Sequence, residues 1–315
     1  MTTKEQAKVL ITDGVHSLLI EGLTAAGYYC DYMPSISLED VRAIIHQYQG
    51  IIINSKITVD RSFLDKATQL KFIGRLGSGL EIIDLEYAKT KQVAVHRAPD
   101  GNCDAVAEHA MGMLLSLAIN LRRSDQQVRQ KNWQREQNRG WELMGKTVGI
   151  IGFGYTGTAL AKRLAGFGVR VLVYDKYKSN YAKEMPHVIE VSMEDIQEEA
   201  DVLSLHLPST PETKGLVDEN YWKKFKKPLV LINTSRGNIV DTKGLLDALD
   251  SGQVMGACLD VFENEKPITY TEKENLLFQD LFARENVLVT PHIAGWTVES
   301  KERLADLLLD RIMKQ

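Results

Sequence analysis

The sequence predicts an α/β protein of two doubly wound parallel-sheet domains, on three observations. Short apolar runs such as KVLIT, IIIN, FIGR, DVLSLHLP and VLVTP alternate with segments of helical character along almost all of the 315 residues, as parallel strands joined by crossover helices do. Midway, TVGIIGFGYTGTALAKRLAGFGVRVLVYD reads as strand, glycine-rich turn, helix, strand and a terminal acid. Finally, a hydrophobic content of 44% over this length is enough for one large or two medium domains with real cores.

In the first hundred residues, strands are expected at KVLIT, Tyr28 to Tyr32, IIIN, FIGR and VAVHR. Helical segments lie between them, around Ser17 to Ala26, Leu38 to His46, Phe63 to Lys66 and Leu85 to Lys91. No phosphate-binding glycine turn follows the first of these strands. A longer helix is expected from Asn102 to Leu121, with Val106, Ala110, Met113, Leu114 and Leu117 on one stripe; such a helix could cross between domains. A polar segment follows, whose Trp133 and Trp141 fit either a subunit interface or a loop pinned to its own domain.

The glycine unit carries the first chemistry. After the apolar run Val148 to Ile151, Gly152 allows a tight turn, Gly154 lets a pyrophosphate approach the backbone, and Gly157 lets the helix pack close to the strand. The helix start then offers free N–H groups and positive dipole to phosphates. Asp175, eighteen residues after Gly157, can accept hydrogen bonds from the adenosine ribose hydroxyls. An acid there repels a 2′-phosphate, so NAD is expected over NADP.

Beyond Asp175 the alternation resumes, with strands at VIEV, DVLSLHLP, PLVLINTSRG, GACLDVFENE and VLVTPHIAG, and helices near Met193 to Glu199, Glu219 to Phe225 and Thr242 to Leu249. In open α/β sheets ligands bind beyond the carboxyl ends of the strands. Three such ends carry able groups: Arg236, Glu265 and His292. Each has a plainer alternative, as a loop arginine, a member of a solvated charge cluster, or one of seven histidines. Their common place on the rim of a dinucleotide domain favours an anion-binding and proton-moving site. Ser235 and Gly237 flank Arg236 and are expected to leave its backbone open.

The remaining composition excludes other classes. A net charge of −4 with no basic block argues against nucleic acid. No apolar run approaches membrane-spanning length, and the N-terminus lacks a signal-peptide core. Cys30, Cys103 and Cys258 show no C-x-x-C spacing, which fits a reducing, cytoplasmic setting without disulfides. The histidines share no metal-ligand spacing, so no metal is expected.

Taken together, GRLGSGLEIIDLEYAK, APDGNCDAVAEHAMGMLL, GKTVGIIGFGYTG, HLPSTPETKGLV, INTSRGNIVD, GACLDVFENE and TPHIAGWT resemble the D-isomer-specific 2-hydroxyacid dehydrogenases, most closely the D-3-phosphoglycerate dehydrogenase branch. The resemblance implies Rossmann-like and flavodoxin-like domains, the NAD domain (100–293) inserted into a substrate domain (1–99 and 294–315) through a Pro/Gly hinge at 98–101. It implies Arg236 as the substrate-carboxylate group, His292 as the acid–base and Glu265 as its partner. Lys266 stands between Glu265 and Pro267, where the family commonly has glutamate followed directly by proline, so Glu263 is a second candidate. Asp260 resembles the acid that holds the nicotinamide carboxamide, and Ser78, Tyr155, Thr156, Leu207, Pro208, Thr234, Ser235 and Gly295 would line the cofactor.

By the same resemblance, Lys56 and Arg75 are offered to a substrate phosphate, with Gly77, Ser78 and Gly79 as the substrate loop; surface ion pairs are the alternative for the two cations. The implied reaction is NAD-dependent oxidation of a D-2-hydroxy acid or its reverse, first D-3-phosphoglycerate in serine biosynthesis, then glyoxylate or hydroxypyruvate reduction. A corepressor-type NAD-responsive binding protein is the reading from another class. A homodimer is expected, and no regulatory domain after Gln315.

Overall fold

A computed structural model describes residues 6–183 and 185–314. The substrate-domain expectation begins and ends on residues 1–5 and 315, which lie outside the described residues. The chain divides into two compact units, one of residues 1–102 with 296–315 and one of residues 103–295.

The first unit alternates β1 (Lys8–Ile11), α1 (Ser17–Ala25), β2 (Tyr29–Tyr32), α2 (Leu38–Ile44), β3 (Gly50–Ile53), α3 (Arg61–Lys66), β4 (Phe72–Arg75), α4 (Leu85–Thr90) and β5 (Ala94–Arg97). The five strands are parallel, in the order β2-β1-β3-β4-β5, the flavodoxin-like winding. Central β3 is buried along its whole length, because apolar groups cover both faces of the sheet. Ile51, Phe63 and Ile73 fill one side; Val9, Ile11 and Phe72 fill the other with Ala305, Leu308 and Ile312 from the chain's last helix.

The second unit begins with α5 (Cys103–Ala118) and α6 (Leu121–Arg129). α5 belongs wholly to this unit and stops short of Leu121, because Asn120 takes a left-handed conformation at φ 53° and turns the chain into α6. The sheet follows: β6 (Thr147–Ile151), α7 (Tyr155–Leu164), β7 (Arg170–Tyr174), β8 (Val188–Glu190), α8 (Met193–Glu199), β9 (Val202–Leu205), α9 (Glu219–Trp222), β10 (Leu229–Asn233), α10 (Thr242–Asp250), β11 (Val254–Leu259), α11 (Glu272–Ala283) and β12 (Val287–Val289). All seven strands are parallel, in the order β12-β11-β10-β9-β6-β7-β8. Winding therefore reverses between β6 and β9, which is where a doubly wound sheet opens a crevice for a ligand. The last helix, α12 (Val298–Met313), belongs to the first unit. Trp141 packs against the second unit's core while Trp133 is 72% exposed, so the pinned-loop alternative holds for Trp141 alone.

Candidate active site

The carboxyl end of β6 leads straight into the glycine turn. Gly152 sits at φ 91°, and a Cβ there would stand 2.4 Å from the His206 carbonyl oxygen. A Cβ on Gly157 would stand 2.2 Å from the Gly152 carbonyl oxygen, so helix and turn close only around glycine. Gly154 differs: nothing lies within 4 Å of its Cβ position, and as N-cap of α7 it supplies no side-chain acceptor. The first N–H groups of this ten-residue helix are thus left for an anion, with Tyr155 and Thr156 forming its first turn. Asp175 closes the turn from the end of β7. One of its oxygens accepts from the Phe153 N–H at 2.9 Å and the other from the Tyr177 N–H at 3.0 Å, which leaves outer lone pairs for ribose hydroxyls. An open cradle at Gly154 beside an oriented carboxylate fits a dinucleotide.

Across the switch point, β9 is followed by His206, Leu207 and Pro208. His206 is buried, donates or accepts at Nε2 with the Ser204 hydroxyl at 2.9 Å, and is pushed down to about 4 by burial. It is therefore neutral near pH 7. From β10, Asn233 is buried and its side-chain oxygen accepts from the Ser235 N–H and hydroxyl at 3.1 and 2.8 Å, while its amide donates to the Arg236 carbonyl at 3.0 Å. Asn233 thus shapes the loop that presents Thr234, Ser235 and Arg236. Gly237 is needed for a close approach, contrary to the expectation of an open backbone: a Cβ there would fall 1.9 Å from the Phe262 carbonyl carbon. This contact sets the Arg236 loop against the segment carrying Glu265.

His292 and Glu265 meet directly, with Nδ1 and Oε2 2.8 Å apart. The hydrogen bond to Glu265 raises the His292 pKa above the usual imidazole range against an opposing effect of burial; the charges of Glu265 and Asp260 add to the rise, and Arg236 opposes it. For Glu265, burial acts upward, but the His292 hydrogen bond and charge, the Phe262 N–H and the Arg236 charge outweigh it and hold the carboxyl below its ordinary value. Arg236 is thus near enough to act on both partners, and its guanidinium donates to the Ser235 carbonyl at 2.8 Å. Lys266 leaves Glu265 aimed at the ring. Glu263, the second candidate, instead accepts from the Thr242 N–H at 2.9 Å at the start of α10, and so takes a helix-end role.

Asp260, directly after β11, is wholly buried. One carboxylate oxygen accepts from the Thr290 hydroxyl at 2.6 Å and the Ile293 N–H at 2.8 Å, the other from the Ala294 N–H at 2.8 Å. The His292 N–H donates to the Asp260 carbonyl at 2.8 Å. His109 from α5 reaches Thr290 Oγ1 at 3.0 Å. Asp260 therefore grips the loop from Thr290 to Gly295 that carries His292. His109, Thr290, His206 and Asn233 were not anticipated; only the placing of Asn233 at the end of an apolar strand, inside INTSRG, could have marked it.

The first unit has its own polar strand-end cluster. Thr12 donates to Asp13 at 2.7 Å, the Asn54 N–H donates to Asp13 at 2.9 Å, and Arg75 donates to the Asn54 side-chain oxygen at 2.7 Å and also to the Leu76 carbonyl. Gly77, at φ 145°, leaves room for the Arg75 guanidinium, which would lie 2.6 Å from a Cβ. Lys56 donates to the Pro34 carbonyl at 2.7 Å. The Arg97 guanidinium donates to the Ser78 carbonyl at 2.8 Å, bracing the loop that continues into Gly79. Among the described residues no cluster of metal ligands occurs, and no helix is long and apolar enough to cross a membrane.

Residues 111–294 match the model of the D-isomer specific 2-hydroxyacid dehydrogenase NAD binding domain. The chain is 33% identical over 306 residues to a D-3-phosphoglycerate dehydrogenase of Archaeoglobus fulgidus, an alignment covering 97% of this chain and 56% of that protein. It is also 33% identical over 277 residues to a hydroxypyruvate reductase of Thermotoga maritima, with 88% of each covered. It spans about half the length of the phosphoglycerate dehydrogenases it matches, 48% for those of mycobacteria. Among solved structures, a D-lactate dehydrogenase from Aquifex aeolicus complexed with NAD and lactic acid aligns at a TM-score of 0.83 and 29% identity, covering 97% of this chain and 94% of that one.

Proposed function

The chain belongs to the D-isomer specific 2-hydroxyacid dehydrogenase family, and on that premise we propose that it interconverts a D-2-hydroxy acid and its 2-keto acid with NAD, D-3-phosphoglycerate being the first substrate. The observation that carries the reading is the 2.8 Å His292–Glu265 pair, with Arg236 beside it, on the rim of a domain whose glycine turn fits a dinucleotide. Bound NAD supplies the hydride acceptor. Arg236 fixes the substrate carboxylate by charge-assisted hydrogen bonds. His292, with Glu265 holding Nδ1, takes the hydroxyl proton at Nε2 and returns it in the reverse direction. Gly152, Gly154, Gly157 and Asp175 hold pyrophosphate and ribose, and Leu207, Pro208, Thr234 and Ser235 line the path between them and Arg236. Asp260 serves by holding the His292 loop.

Substrate choice is assigned to the first unit, where Arg75 is anchored through Asn54 and Lys56 stands nearby in sequence; a phosphate discriminates strongly through such cations. The hydroxypyruvate reductase relative supports the second reading, reduction of hydroxypyruvate or glyoxylate. Specificity constants for 3-phosphoglycerate, D-glycerate and D-lactate decide between them: the first reading expects a clear preference for the phosphorylated acid, lost in Arg75→Ala, and equal constants overturn it. His292→Ala and Arg236→Ala should retain NADH binding and lose turnover by about 10² to 10⁴. We also propose a homodimer working in the cytoplasm, supported by exposed Ile119, Leu121, Val128 and Trp133 and by three cysteines that form no disulfide; light scattering at the mass of one chain would overturn the dimer.

A further inference from the structure

β7 and β9 lie on either side of β6, whose carboxyl end starts the glycine turn. The loop after β7 carries Asp175, Lys176, Tyr177 and Lys178, and the segment after β9 carries Glu212. Lys176 Nζ and the Tyr177 hydroxyl each donate to one oxygen of Glu212, so a charged clasp spans the end of β6. Lys178 donates to the Phe153 carbonyl at 2.6 Å, and the Phe153 N–H donates to Asp175 at 2.9 Å. Two ammonium groups therefore flank the carboxylate that faces the adenosine ribose.

Asp175 alone would leave this corner with an excess of positive charge, which suits the phosphate of NADP, itself about −1.5 to −2. Lysine binds such a group as a point charge. We propose that Glu212 is a further determinant of NAD over NADP: it neutralises Lys176 and ties it, with Tyr177, away from the ribose. The inference rests on the dinucleotide reading of the glycine turn. The Lys176 and Glu212 side chains are 57% and 45% exposed, so once the Glu212 charge is removed Lys176 has room on the solvent side to turn toward a phosphate.

The test is direct binding, followed by quenching of protein fluorescence on titration with NADH and NADPH, for the natural chain, Glu212→Gln and the Glu212→Gln/Lys176→Met double variant. The ratio of the NADPH to the NADH dissociation constant is expected to fall roughly tenfold in Glu212→Gln, the size of one charge-assisted hydrogen bond, and to return toward its original value in the double variant. An unchanged ratio in a variant that still binds NADH overturns the role of Glu212 alone, as does a gain that survives Lys176→Met. Failure of the natural chain to bind either dinucleotide overturns the dinucleotide reading and this proposal with it.

Discussion

At the scale of the residue, His292 combines a left-handed backbone, φ 56°, with a side chain tied to Glu265. A non-glycine residue holds such a conformation only where its surroundings over-determine it; here its N–H is taken by the Asp260 carbonyl at 2.8 Å and the next two N–H groups by the Asp260 carboxylate. The pairing with Glu265 sets a pH dependence. Because the His292 pKa is raised, the proposed reaction in the oxidative direction, which needs the neutral ring, should gain rate as pH climbs through that raised value. Reduction, which needs the protonated ring, loses rate over the same window. Glu265→Gln removes the charge that raises it, so both limbs should move to lower pH, with kcat falling about tenfold or more. Profiles that keep their midpoints would remove Glu265 from this role.

At the scale of the element, the site is made of loops at the carboxyl ends of β6, β9, β10 and β11 and the loop after β12, and their mutual approach matters as much as their residues. Gly237→Ala drives a methyl group into the Phe262 backbone, so Arg236 must move relative to Glu265; a displacement near 1 Å costs on the order of 10² in rate. We expect kcat/KM to fall by about that factor with NADH affinity retained, checked by kinetics and binding on one preparation. The same locality separates what was readable from what was not. The glycine turn, Asp175 and the strand-end positions of Arg236, Glu265 and His292 follow from patterns a few residues long. The Gly237–Phe262 approach, the capture of Glu263 by α10 and the Asn233 brace arise between segments distant in the chain, and no local pattern encodes them.

Two helices also escaped the pattern. α6 buries none of its residues, and Leu121 and Val128 are its only apolar side chains, too few to mark a helix by periodicity. α11 buries only Phe278 and Leu281; its readable mark is the Thr271–Glu274 capping box, not its hydrophobicity.

At the scale of the whole molecule, the second unit is one continuous stretch and the first is completed by α12. Leu308 and Ile312 of α12 crowd the sheet so closely that a Cβ on Gly74 would meet both, at 3.2 and 3.4 Å. Burying these two side chains contributes roughly 3–6 kcal/mol, comparable with the total stability of a small domain, about 5–15 kcal/mol. A chain ending at residue 295 should therefore keep a folded NADH-binding second unit and show an unfolded or molten first unit by limited proteolysis. Equal protease resistance in both units would contradict the part given to α12.

The Asp260 carboxylate has a consequence for how the molecule breathes. Loop amides usually exchange with solvent through small local openings, but the Ile293 and Ala294 N–H groups end on a carboxylate with no measurable exposure at the edge of a core strand. Releasing them means stranding a buried charge, so their exchange should follow cooperative unfolding of the unit, with protection like that of the β11 amides. Deuterium uptake resolved to this peptide would then report the integrity of the His292 loop and global stability as one number, and fast uptake there would show that the loop opens on its own.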